Sequence, residues 1–308
     1  MIKFNKIINV VIAGILLVSI FSCDTEDFLE TTSKSNLTDV TMWASEGNAD
    51  IFLNDCYRDL VAKSNSPDML DCFTDDFDTP SGNVFTSYFW KGGICLASSD
   101  RFSASRGDAG PTYDANWPGT YTKIRKLNTF IQKVNENSAN FSPEYIAKRV
   151  DEARFLRAYF YSELFMRVGG LCILTEPQDR SSMTEEELYL PRSSFEQTLN
   201  FITEELNEIV NNGNLEVKYN SGDADAGRAT LGAALALKGW LELFAASPAY
   251  NSASPAVPGT DDLQSFASPN PSRWATAAAT NKKFIDTYGH KGSGDYNLFP
   301  ELLDLWYE

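Results

Sequence analysis

Aromatic and charged side chains alternate between residues 64 and 116, a segment with little helical periodicity. Loops this long without regular structure are uncommon in compact domains and are often functional. A flat aromatic ring covers the C–H face of a sugar, while carboxylates and a guanidinium bond its hydroxyls. The segment therefore predicts a site for neutral glycans, unless most of its aromatics only hold the loop against the helices. The candidate ligand contacts are Tyr88, Trp90, Asp71, Asp75, Asp76 and Arg101.

Tyr88 and Trp90 are the preferred aromatic candidates because Lys91-Gly92-Gly93 follows them and indicates an exposed turn. The neighbouring acids have an alternative use, since Ca²⁺ prefers several oxygen ligands. The acids that could gather such an ion are Asp71, Asp75, Asp76 and Asp78, but their spacing matches no EF-hand loop. We predict neither a metal site nor a cofactor.

Catalytic arrangements are scarce. His290 is the only histidine, so any Ser-His-Asp triad or Cys-His pair would have to use this one residue. A zinc-binding H-E-x-x-H, a phosphate-binding glycine loop and a dinucleotide motif are all absent. Pairs of carboxylates are abundant, which keeps a surface glycosidase as a less favoured alternative. We predict that the chain is not an enzyme.

The chain begins with an export signal. Lys3 and Lys6 precede the apolar run from Ile7 to Phe21, and the small residue Ser22 precedes Cys23. The run is too short for a confident membrane-spanning helix, which needs about 20 apolar residues, and the cut site resembles a bacterial lipobox. We predict a signal peptide over residues 1–22, an acylated acidic tether and polar spacer over 23–41, and a folded domain over 42–308. The alternative is an ordinary secretory signal with an incidental cysteine.

Net charge limits the partners. The chain has 26 Lys and Arg against 42 Asp and Glu, a net charge of −16 at pH 7. Such a surface repels nucleic acid and offers no basic patch to anionic lipid. The cysteines beyond the anchor show no C-x-x-C pair, and their spacing leaves both disulfides and buried free thiols open: Cys56, Cys72, Cys95 and Cys172.

Apolar residues at helical spacing predict helices over residues 48–61, 121–134, 143–168, 194–210, 229–246 and 274–288. Trp117 is interpreted as a core residue at the entrance to the second of these. Small residues in the predicted helix over residues 229–246 let a partner helix approach closely. No stretch shows the sustained period-two alternation that is typical of a strand. These patterns predict a mainly α fold of stacked tetratricopeptide-like helical hairpins with long irregular loops, although the full repeat signature is absent.

Four segments resemble the RagB/SusD-like outer-membrane lipoproteins of Bacteroidetes, in the same order along the chain. They comprise Trp117 with Tyr121 and Asn128, residues 152–161 followed by Val168-Gly169-Gly170, residues 227–251, and residues 274–279. Cys23 with residues 27–30 is similar to the start of the mature proteins.

The resemblance implies a helical lipoprotein anchored on the cell surface for nutrient uptake and polysaccharide utilisation. It also implies capture of oligosaccharides and a position over a SusC-like TonB-dependent transporter in the outer membrane. Asp24, Glu26 and Asp27 resemble the signal for surface export. Two alternatives stay open beside glycan capture: a peptide- or protein-binding surface scaffold of the same uptake class, and the glycosidase.

Members of this family usually continue well beyond the point where this sequence stops. The final residues are apolar and aromatic, which is unusual for a free end. We therefore expect the chain to be an N-terminal portion of a longer protein, truncated at its C-terminus.

Overall fold

The structure, a computed structural model, describes residues 39–64, 117–255 and 262–298, with only the backbone for 61–64. The chain divides into two units at residue 42. Of the first unit only helix α1, Asp39–Met42, is described. The remaining helices belong to the second unit, residues 43–308.

All longer elements in the described ranges are helices, which confirms the mainly α prediction. The described helices of the second unit run in the following order: α2 Glu46–Ser64, α3 Trp117–Glu136, α4 Pro143–Val168, α5 Glu185–Leu188, α6 Phe195–Asn212, α7 Leu231–Ala246 and α8 Ser272–Thr287. A short 3₁₀ turn at Ser138–Asn140 lies between α3 and α4. None of the described helices is both long and apolar enough to cross a membrane.

Helix ends follow local chemistry. The Ser142 hydroxyl accepts a hydrogen bond from the Tyr145 amide (3.3 Å), and Pro143 occupies the first turn of α4. Proline is suited to that position because its missing N–H would be unpaired there anyway. Helix α6 starts with a capping box between Ser194 and Gln197 and ends at Gly213 in the left-handed conformation. These signals are visible in the sequence, and the predicted ends of both helices are confirmed.

Helix α4 is central, since it packs against α2, α3, α6 and α7. Only residues 137–142 separate α3 from α4, so the two form an antiparallel hairpin. Helix α6 packs on α7, and α7 packs on α8. The predicted helical hairpins are present in this series.

The core lies between these helices. The five apolar residues at helical spacing in α6 are all buried: Phe195, Leu199, Ile202, Leu206 and Ile209. Phe195 meets Phe165 of α4 with ring centroids 4.6 Å apart. A phenylalanine in such a core typically contributes about 3–5 kcal/mol relative to alanine.

Small residues bring α7 and α8 together. A Cβ atom on Gly239 would lie 2.8 Å from the Asn281 side-chain oxygen. The same Asn281 amide donates to the Gly239 carbonyl oxygen (3.0 Å). The predicted close approach of a partner helix is therefore confirmed.

One expectation of burial is wrong. Trp117 is half-buried and lines a groove instead of belonging to the core. The helix predicted over residues 274–288 is present as α8. It faces α7 with Ala277 and Thr280, so Trp274 and Ile285 are 45% and 42% exposed. Among the described cysteines, Cys56 is a buried free thiol and Cys172 is a half-buried one.

Candidate functional site

The residues singled out for anchoring and for ligand contact all lie outside the described ranges: Cys23, Asp71, Asp75, Asp76, Tyr88, Trp90 and Arg101. Their roles therefore stay predictions. Asp78, the fourth acid of the calcium alternative, lies outside them as well. Trp117 is the first described residue after that segment, and the groove it lines is the candidate site.

One side of α3 holds an irregular segment, residues 171–178, by side-chain hydrogen bonds. The Tyr121 hydroxyl donates to the carbonyl oxygen of Cys172 (2.6 Å). About two turns further along, the Asn128 amide donates to the carbonyl oxygen of Leu174 (3.0 Å). Because both donors belong to a regular helix, they fix the path of the segment along it.

Arg125 lies between these two donors and extends the attachment. Its guanidinium donates to the carbonyl oxygen of Gln178. The Gln178 amide in turn donates to the carbonyl oxygens of Glu187 (3.1 Å) and Leu188 (3.3 Å), at the end of α5. The short helix α5 is thereby tied to α3 through a single glutamine.

The space between the start of α3 and residues 172–190 is a groove of about 540 Å³. Its polar lining includes Arg125, Glu176 and Gln178. At its edge Tyr189 is 72% exposed, and Leu190 is also exposed. The groove thus combines an apolar surface with a few hydrogen-bonding groups, the usual composition of a small-molecule site.

Two aromatic rings form one wall of the groove. Trp117 and Tyr121 are stacked, with centroids 5.5 Å apart and an interplanar angle of 28°. The Arg192 guanidinium lies 5.5 Å from the Trp117 ring centroid. Arg192 is itself held by the carbonyl oxygens of Gly170 (2.7 Å) and Val168 (2.6 Å). The indole therefore contacts both a neighbouring ring and a cation whose position is fixed.

Three titratable groups in the described lining of the groove bear on whether it could be catalytic. Burial raises the pKa of the Tyr121 hydroxyl, so it remains a hydrogen-bond donor. Burial also raises the pKa of the Cys172 thiol, which is the opposite of what a nucleophilic cysteine needs. In the described lining Glu176 is the one carboxylate, whereas a glycosidase uses a pair.

A second feature is a fully buried carboxylate, Glu152 of α4. It accepts hydrogen bonds from Arg149 (2.5 Å), from Arg228 before α7 (3.0 Å) and from the Tyr57 hydroxyl of α2 (3.0 Å). Burial, reinforced by the Glu152 charge, raises the pKa of Tyr57, which keeps the phenol neutral. The cluster joins three elements through one side chain, so we interpret it as part of the scaffold.

Arg157 of α4 connects the scaffold to the groove. Its guanidinium donates to the Asn128 side-chain oxygen (2.8 Å) and to Glu205 of α6 (2.5 Å). Asn128 therefore presents its amide hydrogens to the carbonyl oxygen of Leu174. The position of the groove wall thus depends on a buried ion pair between α4 and α6.

Solved structures resemble this arrangement of helices. The protein BT4246 matches with a TM-score of 0.63 at 23% identity, over 83% of this chain and 42% of that one. A SusD-like protein of Bacteroides fragilis NCTC 9343, BF3747, matches with a TM-score of 0.51 at 26% identity, over 67% of this chain and 36% of that one. A laminarin-binding SusD-like protein matches with a TM-score of 0.58 at 20% identity, over 85% and 48%.

The chain has a SusD-like fold. The resemblance seen in the sequence is thereby confirmed at the level of fold. This SusD-like chain spans between 36% and 48% of the length of the structures it matches. No protein-family model matches it, and no curated protein does.

Sequence reasoning missed the groove of the SusD-like chain. The sequence predicts Trp117 as a core residue and Tyr121 as part of a helix, yet both form the groove wall. The available signal was the spacing of Tyr121, Arg125 and Asn128, which places polar groups on one side of a helix. Their partners between residues 172 and 178 are distant in the sequence, so the spacing could not show what they bind.

Proposed function

We propose that this chain captures oligosaccharides at the cell surface and passes them to a SusC-like TonB-dependent transporter in the outer membrane. The observation that carries the proposal is the SusD-like fold, shared with a protein described as laminarin-binding. The aromatic and acidic residues between 64 and 116, with Tyr88 and Trp90 as the first candidates, supply suitable chemistry for a sugar ligand. The chain covers only 48% of that laminarin-binding protein, so ligand and partner are both part of the proposal.

Glycan capture is tested by native affinity electrophoresis of the purified chain in gels containing laminarin, pullulan, xylan or mannan. At least one neutral glycan should retard the chain, and replacing both Tyr88 and Trp90 by alanine should weaken that retardation. Migration unaffected by every glycan would contradict the proposal.

Anchoring through an acylated Cys23 is a separate part of the proposal. An expressing bacterial host fed an alkyne-labelled fatty acid should label the wild-type chain, and the chain should fractionate with membranes. Cys23→Ser should abolish both, whereas Cys172→Ser, at a half-buried thiol far along the chain, should change neither. Equal labelling of the two variants would show that Cys23 is not the attachment point.

Transfer of the ligand requires a transporter partner. Outer membranes solubilised in mild detergent should yield a SusC-like barrel bound to the tagged full-length protein. Recovery of the tagged protein alone, under conditions that preserve other membrane complexes, would count against a stable partnership.

The proposed role is non-catalytic. Incubation of the purified chain with each glycan that it binds should release no reducing ends. Release that persists through successive purification steps and disappears with carboxylate substitutions would favour the glycosidase alternative.

A further inference from the structure

We infer that the groove lined by Trp117, Tyr121 and Tyr189 is a saccharide-binding subsite that takes a stretch of neutral glycan chain. The inference rests on the proposed function and adds to it a set of contacts outside residues 64–116. Three properties of the groove support it: its size and access, the chemistry of its lining, and the way its walls are held.

Size and access suit part of a polymer. The volume of about 540 Å³ lies within the roughly 300–1,000 Å³ typical of small-molecule sites. The groove is bordered by Tyr189, which is 72% exposed, and Leu190, which is 42% exposed. Because these residues stand at an open edge, a glycan chain can enter sideways and continue beyond the groove.

The lining matches a sugar better than a purely apolar ligand. Trp117 and Tyr121 present stacked rings, and the exposed ring of Tyr189 is available to contact the C–H face of a pyranose. Around the rings, Arg125 has further guanidinium donors beyond the one bound to Gln178, and Glu176 offers an exposed carboxylate. Sugar hydroxyls can both donate and accept, so they pair with either group.

Charge selects neutral glycans over acidic ones. The described lining carries one cationic and one anionic side chain, Arg125 and Glu176. Arg192 lies against Trp117 but outside this lining, and its guanidinium already donates to the carbonyl oxygens of Gly170 and Val168. The whole chain carries a net charge of −16, which repels polyanions at long range. A uronic-acid polymer therefore meets a long-range repulsion that a neutral glycan does not.

The walls are held before any ligand arrives. Tyr121 and Asn128 are hydrogen-bonded to the backbone of residues 172–174, and Gln178 is bonded on both sides. A ligand therefore does not need to order these groups, and less of the binding free energy is lost to immobilising side chains. Tyr189 is the exposed ring at the edge, which makes it the residue to test.

The test compares Tyr189→Ala with Tyr189→Phe in the full chain, using isothermal calorimetry with the neutral glycan that gives the strongest retardation in the gel panel. Loss of the ring should weaken binding about three- to tenfold, the range of a single aromatic contact. The phenylalanine variant keeps the ring and should bind within about twofold of wild type. Trp240→Ala, which removes a half-exposed aromatic on α7 outside the groove, should bind like wild type. Thermal melting of each variant confirms that it is folded.

The outcomes separate this inference from the proposed function. If the wild-type chain binds a neutral glycan and Tyr189→Ala binds equally well, the subsite is overturned while glycan capture stands through other contacts. If the wild-type chain binds no glycan, both fail together. If polygalacturonate binds more tightly than every neutral glycan, the inferred ligand class is overturned.

Discussion

Glu152 shows at the scale of one residue how the scaffold tolerates charge in its core. Its side chain is fully buried and is bonded to Arg149 and Arg228, which are 10% and 13% exposed. Removing one partner of a buried pair leaves the others uncompensated, at a cost of about 3–5 kcal/mol. We expect Glu152→Gln to lower the free energy of unfolding by up to that amount, since the amide group would also face the Tyr57 hydroxyl and two guanidinium groups. Urea denaturation followed by circular dichroism measures this change.

A matched control for Glu152 is the exposed ion pair between Lys282 and Asp286 on α8. Lys282 is 72% exposed and Asp286 is 39% exposed, and such surface pairs contribute little to stability. Asp286→Asn should leave the denaturation midpoint close to that of wild type. Equal midpoints for the Glu152 and Asp286 variants would mean that the buried cluster contributes no more than a surface pair.

Gly170 carries the element-scale prediction, because it determines how the chain leaves helix α4. A Cβ atom there would lie 2.0 Å from the carbonyl oxygen of Ser193, which is backbone and cannot turn aside. Overpacking of this kind typically costs about 1–3 kcal/mol. We therefore expect Gly170→Ala to lower the melting temperature. Residues 170 and 171 lead into the groove segment, so glycan binding should weaken in the same variant.

Gly47→Ala provides the comparison for Gly170→Ala. Nothing lies within 4 Å of a Cβ atom placed on Gly47, in the first turn of α2. Alanine is a better helix former than glycine, so this variant should melt at the same temperature as wild type or slightly higher. A Gly170 variant as stable as the Gly47 variant would show that the α4 turn can relax.

The elements that could be predicted from the sequence are those specified by local chemistry. Helix ends are marked by Ser142 with Pro143 in α4 and by Ser194 and Gly213 in α6. The regularly spaced apolar residues of α6 face the core, as their spacing predicts. Whether a given side chain is buried is harder to predict from local sequence. Trp117 looks like a core residue because it is a tryptophan at a helix start, but its surroundings come from residues 172–192, distant in sequence.

Across the whole molecule, ion pairs between helices make stability depend on acid. Burial opposes ionisation of Glu205, but hydrogen bonds and charge from Arg154 and Arg157 outweigh it, so the pKa of this carboxyl lies below its ordinary value of 4.5. The pKa of Asp225 is also lowered, because its pairing with Lys148 and Arg149 outweighs burial. Asp151 differs, since burial raises its pKa despite bonds from Asn214 and Asn212. Acid therefore removes stability at Glu205 and Asp225, whereas it relieves a penalty at Asp151.

The sign of the pH dependence follows from these shifts. A lowered pKa means that the folded state binds the proton less tightly than the unfolded chain. Stability from Glu205 is therefore complete above its ordinary value of 4.5 and is lost as the pH falls through the lower folded pKa. Asp151 disfavours folding while it is ionised, and this penalty is relieved as the pH falls toward its ordinary value of 3.8. We expect the melting temperature of the chain to fall as the pH drops below about 4.5.

Substitutions of single carboxyl groups show which of them cause the loss of stability in acid. Glu205→Gln should be less stable at pH 7, with a shallower decline in acid because the group that loses its charge is gone. Asp151→Asn should decline more steeply than wild type, because the group that gains from protonation is gone. Melting curves between pH 7 and pH 3 distinguish these slopes. Parallel curves for all three proteins would mean that the acid sensitivity arises at other carboxyl groups. In that case added salt, which screens exposed charges more than buried pairs, should change the acid limb of all three proteins alike.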